Sequence, residues 1–175
     1  MYKRQESILG LNLDFFDNIW FICLQEHEDK YQFMKGLVSE LDEVGLRAKS
    51  NIVLLPEQTD SQSETVYTFL SGQELEGFVF IKDSDGFYRC DVEERNQVAY
   101  FDLNDMDDIN ARTKSYIELD VNNVITNIVE KKVVSSTFSS GGYGFADAKE
   151  FCKTFEKLQD MDCLLYTSPS PRDSS

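Results

Sequence analysis

Apolar and polar positions alternate along the chain in two different periods. Asn18–Leu24 (NIWFICL), Ser50–Leu55 (SNIVLL) and Gly77–Ile81 (GFVFI) are short, nearly continuous apolar runs. Runs of this length suit strands buried on both faces. Between the first two, residues 27–44 place Tyr31, Met34, Leu37, Val38, Leu41 and Val44 on one helical face, and Gly45 fits the stop. Between the second and third, residues 61–70 read as a helix with Val66, Phe69 and Leu70 on its inner side. Strand-length runs alternating with amphipathic helices predict βαβ units and a parallel sheet. From Phe87 onward the texture changes to short strand-like pieces: YRCDV, QVAYFDL, SYIELDV, VITNIV and VVSSTF. Asn104–Asn110 reads as an acidic loop and Asp120–Asn123 as a turn. Ala146–Leu158 closes with a helix whose inner face is Ala148, Phe151, Cys152, Phe155 and Leu158.

Composition narrows the class. The 175 residues carry 17 Lys and Arg against 32 Asp and Glu, a net charge of −15. That balance argues against a nucleic-acid backbone as partner, which requires surplus cations, and against a basic membrane-surface helix. No apolar run approaches the roughly 20 residues of a membrane span. A 41% hydrophobic content with 13% aromatics is that of a folded domain.

The two ends read differently from the middle. MYKRQ at residues 1–5 and CLLYTSPSPRD at Cys163–Asp173 back-translate to one DNA word, CTGTCTCTTATACAC, in inverted orientation. The word resembles a transposon-end adapter of sequencing libraries. The expectation is that residues 1–5 and 163–175 are adapter-derived, the latter disordered, and that 6–162 is a partial domain truncated at both ends. Cys23, Cys90 and Cys152 are then an odd, widely spaced set, read as free thiols of a reducing, cytoplasmic compartment.

Four places carry candidate chemistry. Asp83-Ser84-Asp85-Gly86 follows a buried run, so two carboxylates stand at a strand end, where α/β folds bind ligands. Paired carboxylates suit Mg²⁺, which keeps waters and takes phosphate oxygens; the same residues also read as a polar turn. Gln58–Thr65 (QTDSQSET) joins a strand to a helix, with amides and hydroxyls able to meet a nucleobase, sugar or anion. Ser61 with Glu64 is equally a capping box. Glu130-Lys131-Lys132 closes a strand with a carboxylate and two ammonium groups, or is a solvated strand end. Ser140–Phe145 (SGGYGF) has three glycines in four positions, a sign of close backbone approach to a ligand or of a bend. With His27 as the one histidine, a serine or cysteine triad is excluded from the expected chemistry.

The order of these motifs resembles the central part of a sugar-phosphate nucleotidyltransferase of the NTP-transferase family. The resemblance is nearest to bacterial capsule or surface-polysaccharide proteins and spans nearly all of Glu6–Asp162. It implies an α/β fold, a Rossmann-like three-layer sheet of the glycosyltransferase-A kind, mostly parallel with an antiparallel β-rich part. It implies nucleotidyl transfer from an NTP to a sugar 1-phosphate, with Mg²⁺ as cofactor. Gln58, Ser61 and Gln62 would contact base and sugar. Asp83 or Asp85 would hold the metal, the SDGFY register favouring Asp85 and the strand length Asp83. Glu130 would contact the sugar, Lys131 its phosphate, and Gly142 and Tyr143 would line the sugar pocket. Asp83 and Lys131 would be the catalytic pair. The family's glycine-rich phosphate loop would lie upstream of Glu6, so the chain by itself is expected to be inactive and poorly stable. Two other readings stand beside this one. A metal-dependent glycosyltransferase would use Asp83-Ser84-Asp85, and a non-catalytic module would bind sugar nucleotides without turnover. An aspartate-nucleophile phosphatase fits less well, because Lys82 interrupts the apolar strand before the acid.

Overall fold

The computed structural model describes residues 7–106, 110 and 114–167, with the backbone alone for 161–167. The end expected at 1–5, residues 168–175 of the end expected at 163–175, and residues 107–109 of the acidic loop lie outside this set. Seven strands and four α-helices follow one another within it. The first half runs β1 (Ile19–Leu24), α1 (Gln25–Tyr31), α2 (Met34–Glu43), β2 (Ser50–Leu55), α3 (Gln62–Gln73) and β3 (Val79–Lys82). The second half runs β4 (Gln97–Asp102), β5 (Ser115–Leu119), β6 (Ile125–Glu130), β7 (Thr137–Phe145) and α4 (Ala148–Thr167).

Strands β1 and β2 pair in parallel, Ile19 opposite Ser50 through Leu24 opposite Leu55. Strand β1 sends alternate residues to opposite faces. Ile19 and Phe21 pack with Ile52 onto Leu37, Leu41 and Leu46, the core beneath α2. Trp20 and Ile22 pack with Val79 and Ile81 onto Val66, Phe69 and Leu70 of α3 and Ala148 of α4. Helices therefore cover both faces. The apolar face expected for 27–44 survives in Leu37 and Leu41, but the helix breaks in two. Gln32 adopts left-handed backbone (φ +48°) and ends α1, and the Glu28 carboxylate accepts from the Met34 N–H at the start of α2. Tyr31 and Val44 consequently lie exposed.

The sheet balance reverses the expectation of a mostly parallel fold. Among the described residues one ladder is parallel and four are antiparallel. The cause is β7, the longest strand, which recruits three others. β3 and β5 pair along one of its edges, β4 runs along the other, and β6 continues beyond β5. The glycine-rich segment is thus the interior of a strand that leads into α4. Glycine suits this place because flanking side chains lie directly on the bare backbone. YRCDV forms no strand beyond one bridge from Cys90 to Leu11. Val133–Ser136 precedes β7 instead of joining it. Helix α4 continues to Thr167, five residues beyond the boundary expected at Asp162. Cys23, Cys90 and Cys152 form no disulfide among the described residues, and no described helix is long and apolar enough to cross a membrane.

Candidate functional site

The strand-end acid and the helix-start amide meet. Strand β3 ends at Lys82, and the Asp83 N–H donates to the Gly141 carbonyl at 2.8 Å, extending the ladder by one step. Gln62 opens α3, and its Nε2 donates to Asp83 Oδ1. Ser61 caps the same helix, its Oγ accepting from the Glu64 N–H at 3.1 Å, while Glu64 reaches back to the Asp60 N–H at 2.6 Å. The Ser61 half of the expected capping box therefore forms, with Glu64 bonding one residue before the cap, and this helix start positions Gln62 over Asp83. Ser61 sits exposed with its hydroxyl engaged by the cap. Ser61→Ala should destabilise the chain by about 1 kcal/mol in urea titration. A loss of nucleotide binding without that destabilisation would mark Ser61 as a ligand contact instead.

A bulge in β7 lies beneath this junction. Ala99 pairs with Gly142 but Tyr100 with Ser139, so Ser140 and Gly141 are extra on β7. Gly141 has φ +85°, and a Cβ there would fall on the Asp83 carboxylate. Bulges with a left-handed glycine turn neighbouring side chains beside functional sites. Gly142 is equally constrained, since its Cβ would meet the Tyr88 hydroxyl and the Phe80 ring. Tyr143 is half-buried, its Oη accepting from Ser139 Oγ at 2.9 Å.

Burial pushes the Asp83 carboxyl above its ordinary range; the Gln62 hydrogen bond opposes this, the Asp85 charge adds to it, and Lys82 opposes it. Lys82 gives Asp83 no ion pair among the described residues. Its Nζ donates to the carbonyls of Asp83 at 3.0 Å and Gly86 at 2.6 Å, and lies 4.1 Å from the centroid of the Tyr88 ring. Burial lowers the Lys82 pKa, and the nearby Asp83 and Asp85 charges raise it. Asp85 is exposed. The described residues contain no cluster of three or more His, Cys, Asp or Glu side chains.

The remaining candidates are spread out. Gln58 is exposed in the β2–α3 loop. Glu130 ends β6, and Lys131 follows in left-handed backbone with its Nζ 2.8 Å from Glu130 Oε1, both exposed. The pair is nevertheless level with Asp83. Lys131 N–H donates to the Lys114 carbonyl, and Tyr116 opposite Phe138 sets Lys114 level with Ser140. β4 runs along one edge of β7 from Thr137 to Gly144, so β3 and β5 share the other edge, and β6 lies one strand spacing, about 4.8 Å, outside β5. The structure thus joins Gln62, Asp83 and Gly141, places Gly142 and Tyr143 next along β7, and sets Glu130 and Lys131 on the hairpin that shares the β3 edge of β7.

Sequence reasoning passed over Lys82 and Tyr88 as site residues. Tyr88 is 5% exposed, and its hydroxyl is buried beside that of Ser140. Burial raises the Tyr88 pKa well above that of a free phenol. The available signal was Lys82 itself, a cation at a position of β3 that the alternation directs inward.

No known family profile and no curated protein sequence matches the chain. Nine solved chains match in structure. Among them is the nucleoside-diphosphate-sugar pyrophosphorylase from Vibrio cholerae RC9, at TM-score 0.67 and 16% identity over all of this chain and 70% of that one. The likeness establishes a common mixed α/β fold with that nucleotidyltransferase.

Proposed function

We propose that this polypeptide serves nucleotidyl transfer from an NTP to a sugar 1-phosphate, yielding an NDP-sugar and pyrophosphate for surface-polysaccharide synthesis. The observation that carries the reading is the Gln62–Asp83 junction above the Gly141 bulge, in a chain sharing its whole fold with a nucleoside-diphosphate-sugar pyrophosphorylase. In the reaction an oxygen of the sugar phosphate attacks the α-phosphorus, and the bond from that phosphorus to the bridging oxygen breaks as pyrophosphate leaves. Such chemistry needs positioning and charge neutralisation more than proton transfer.

The donor set fits Mg²⁺. Asp83 is a half-buried carboxylate with no cationic partner among the described residues, and Asp85 follows two positions on. Asp83 and Asp85 would hold the cation together with water and phosphate oxygens. The cation supplies positive charge to the phosphates when bound. Gln62 holds Asp83 Oδ1 and fixes the carboxylate's orientation. Gln58 and Ser61 stand at the same loop for base and ribose. Gly142 and Tyr143 form the sugar wall, Glu130 accepts sugar hydroxyls, and Lys131 meets the phosphate. The −15 charge elsewhere makes these cations the local exceptions.

Calorimetric titration of a panel of NDP-sugars with Mg²⁺ should show metal-dependent binding to the 175-residue chain. The polypeptide extended upstream in its reading frame should release pyrophosphate from an NTP and a sugar 1-phosphate. Hydrolysis of the NDP-sugar without pyrophosphate chemistry would assign a glycosyltransferase. Binding without any turnover by the longer polypeptide would assign a non-catalytic module.

A further inference from the structure

An ammonium group ties down the turn that carries both candidate metal carboxylates. Lys82 is the last residue of β3. Its Nζ donates to the Asp83 carbonyl at 3.0 Å and to the Gly86 carbonyl at 2.6 Å. These carbonyls belong to the first and last residues of the Asp83–Gly86 turn, so the side chain closes the turn around its own charge. Hydrogen bonds from a charged donor are roughly twice as strong as neutral ones. Side chains alternate along the strand. Ile81 packs in the core beneath α3, and Asp83, two positions on, meets Gln62 of α3. Lys82 takes the opposite face, where its Nζ lies 4.1 Å from the centroid of the Tyr88 ring. Carboxylate and ammonium therefore leave the strand end in opposite directions, and the described ion pairs include none between Lys82 and Asp83 or Asp85.

The support beneath the ammonium is rigid. Tyr88 is 5% exposed and meets Phe101 edge-on, with ring centroids 6.2 Å apart. Its hydroxyl and the Phe80 ring both fill the space that a Cβ on Gly142 would take. A cation over an aromatic face is attracted by the ring quadrupole, the more so when water is excluded. Phe80, on the same face of β3, shows what that face otherwise accepts. An apolar residue at position 82 would pack on Tyr88 without taking a charge out of water, which is costly. It could not hold two carbonyls.

We propose that Lys82 is a positioning residue for the divalent-cation site: through two backbone carbonyls it fixes the turn from which Asp83 and Asp85 project. The proposal rests on the Mg²⁺ reading given above. The sign of its effect separates positioning from charge. As a positive charge beside a cation site, Lys82 would weaken Mg²⁺ binding, and its removal would tighten it. As a clamp it strengthens binding, because the donors stand in place before the metal arrives, and its removal loosens binding. A side chain that only packs leaves the affinity of the folded molecule unchanged.

Lys82→Met keeps the apolar stem over Tyr88 and removes the ammonium, and two measurements on the 175-residue chain compare it with the wild type. Without metal, the amides of Ser84–Phe87 should exchange about 10-fold faster in the variant, as local opening of the turn requires, while those of Ile52–Leu55 and Val66–Leu70 keep their rates. Equal exchange at the turn overturns the proposal. In calorimetric titration with magnesium chloride, the variant should bind Mg²⁺ about 10-fold more weakly. Unchanged or tighter binding overturns the proposal. If Lys82→Met does not fold, Lys82→Arg takes its place. It keeps the charge but brings a planar fork in place of a compact ammonium. It should show the same faster exchange and weaker Mg²⁺ binding, and wild-type values for both overturn the proposal. Faster turn exchange in a chain that binds no Mg²⁺ would sink the metal reading and leave the clamp. Equal exchange in a chain that binds Mg²⁺ would sink the clamp and leave the metal reading.

Discussion

Gly141→Val should lower the stability of the chain by about 3 kcal/mol, the largest effect expected of any single change at the site. Two penalties combine. Gly141 has φ +85°, a conformation in which a β-branched residue is strained by about 1–3 kcal/mol. Its Cβ would also fall on the Asp83 side chain, and forced overlap of this kind costs about 1–3 kcal/mol more. For a chain of this size the midpoint should fall by roughly 6–12 °C. Gly141→Ala keeps the overlap but relieves the β-branching, so it should fall between the two in urea titration. Equal midpoints for all three would mean that the Ser140–Gly141 bulge is absent in solution, and the site geometry with it.

Asp83→Asn should act in the opposite direction on stability and strongly on binding. Burial, and next to it the Asp85 charge, favour the protonated carboxyl, against the Gln62 hydrogen bond and Lys82. An acid whose folded pKa lies above its unfolded value is held most tightly when protonated. Its stabilising contribution is complete below the unfolded carboxylate range and is lost as pH rises through the folded pKa. At neutral pH the ionised Asp83 therefore destabilises the fold. Asparagine removes that charge and keeps an oxygen for Gln62. The variant should be about 0.5–2 kcal/mol more stable at pH 7, in keeping with the cost that functional groups impose on stability. The gap should close as the pH falls below about 4. Mg²⁺-dependent nucleotide binding should weaken by about 10- to 100-fold in the same protein, as for loss of a ligand-orienting or ligand-donating group. A variant that is less stable at pH 7 and binds normally would make Asp83 a structural residue and remove the basis of the proposed chemistry.

Legibility differed between the two halves of the chain. β1, β2, α3 and the face Val66, Phe69 and Leu70 follow from period alone, because local pattern and burial agree there. The helix start at Ser61 and Glu64 was equally readable, since it closes within four residues. What it accomplishes was not: Gln62 reaches Asp83 across 21 positions, and no local signal carries such a distance. The expected choice between Asp83 and Asp85 is sharpened by burial, which sets the former beneath α3 and leaves the latter in solvent.

The amino-acid sequence by itself determined the strand and helix alternation of residues 18–82, the acidic balance and the presence of carboxylates after a buried strand. Each depends on residue type and short spacing. Tertiary structure alone decided that the SGGYGF segment is the central strand of an antiparallel array, because backbone pairing is contributed equally by any residue and its partners lie 40 or more positions away. It alone decided that β1 and β3 share one core, since the residues of neither strand specify its neighbours. The physical reason is the same in both cases. Side-chain hydrophobicity is written along the chain, whereas strand order is settled by which backbone edges packing brings within hydrogen-bond reach.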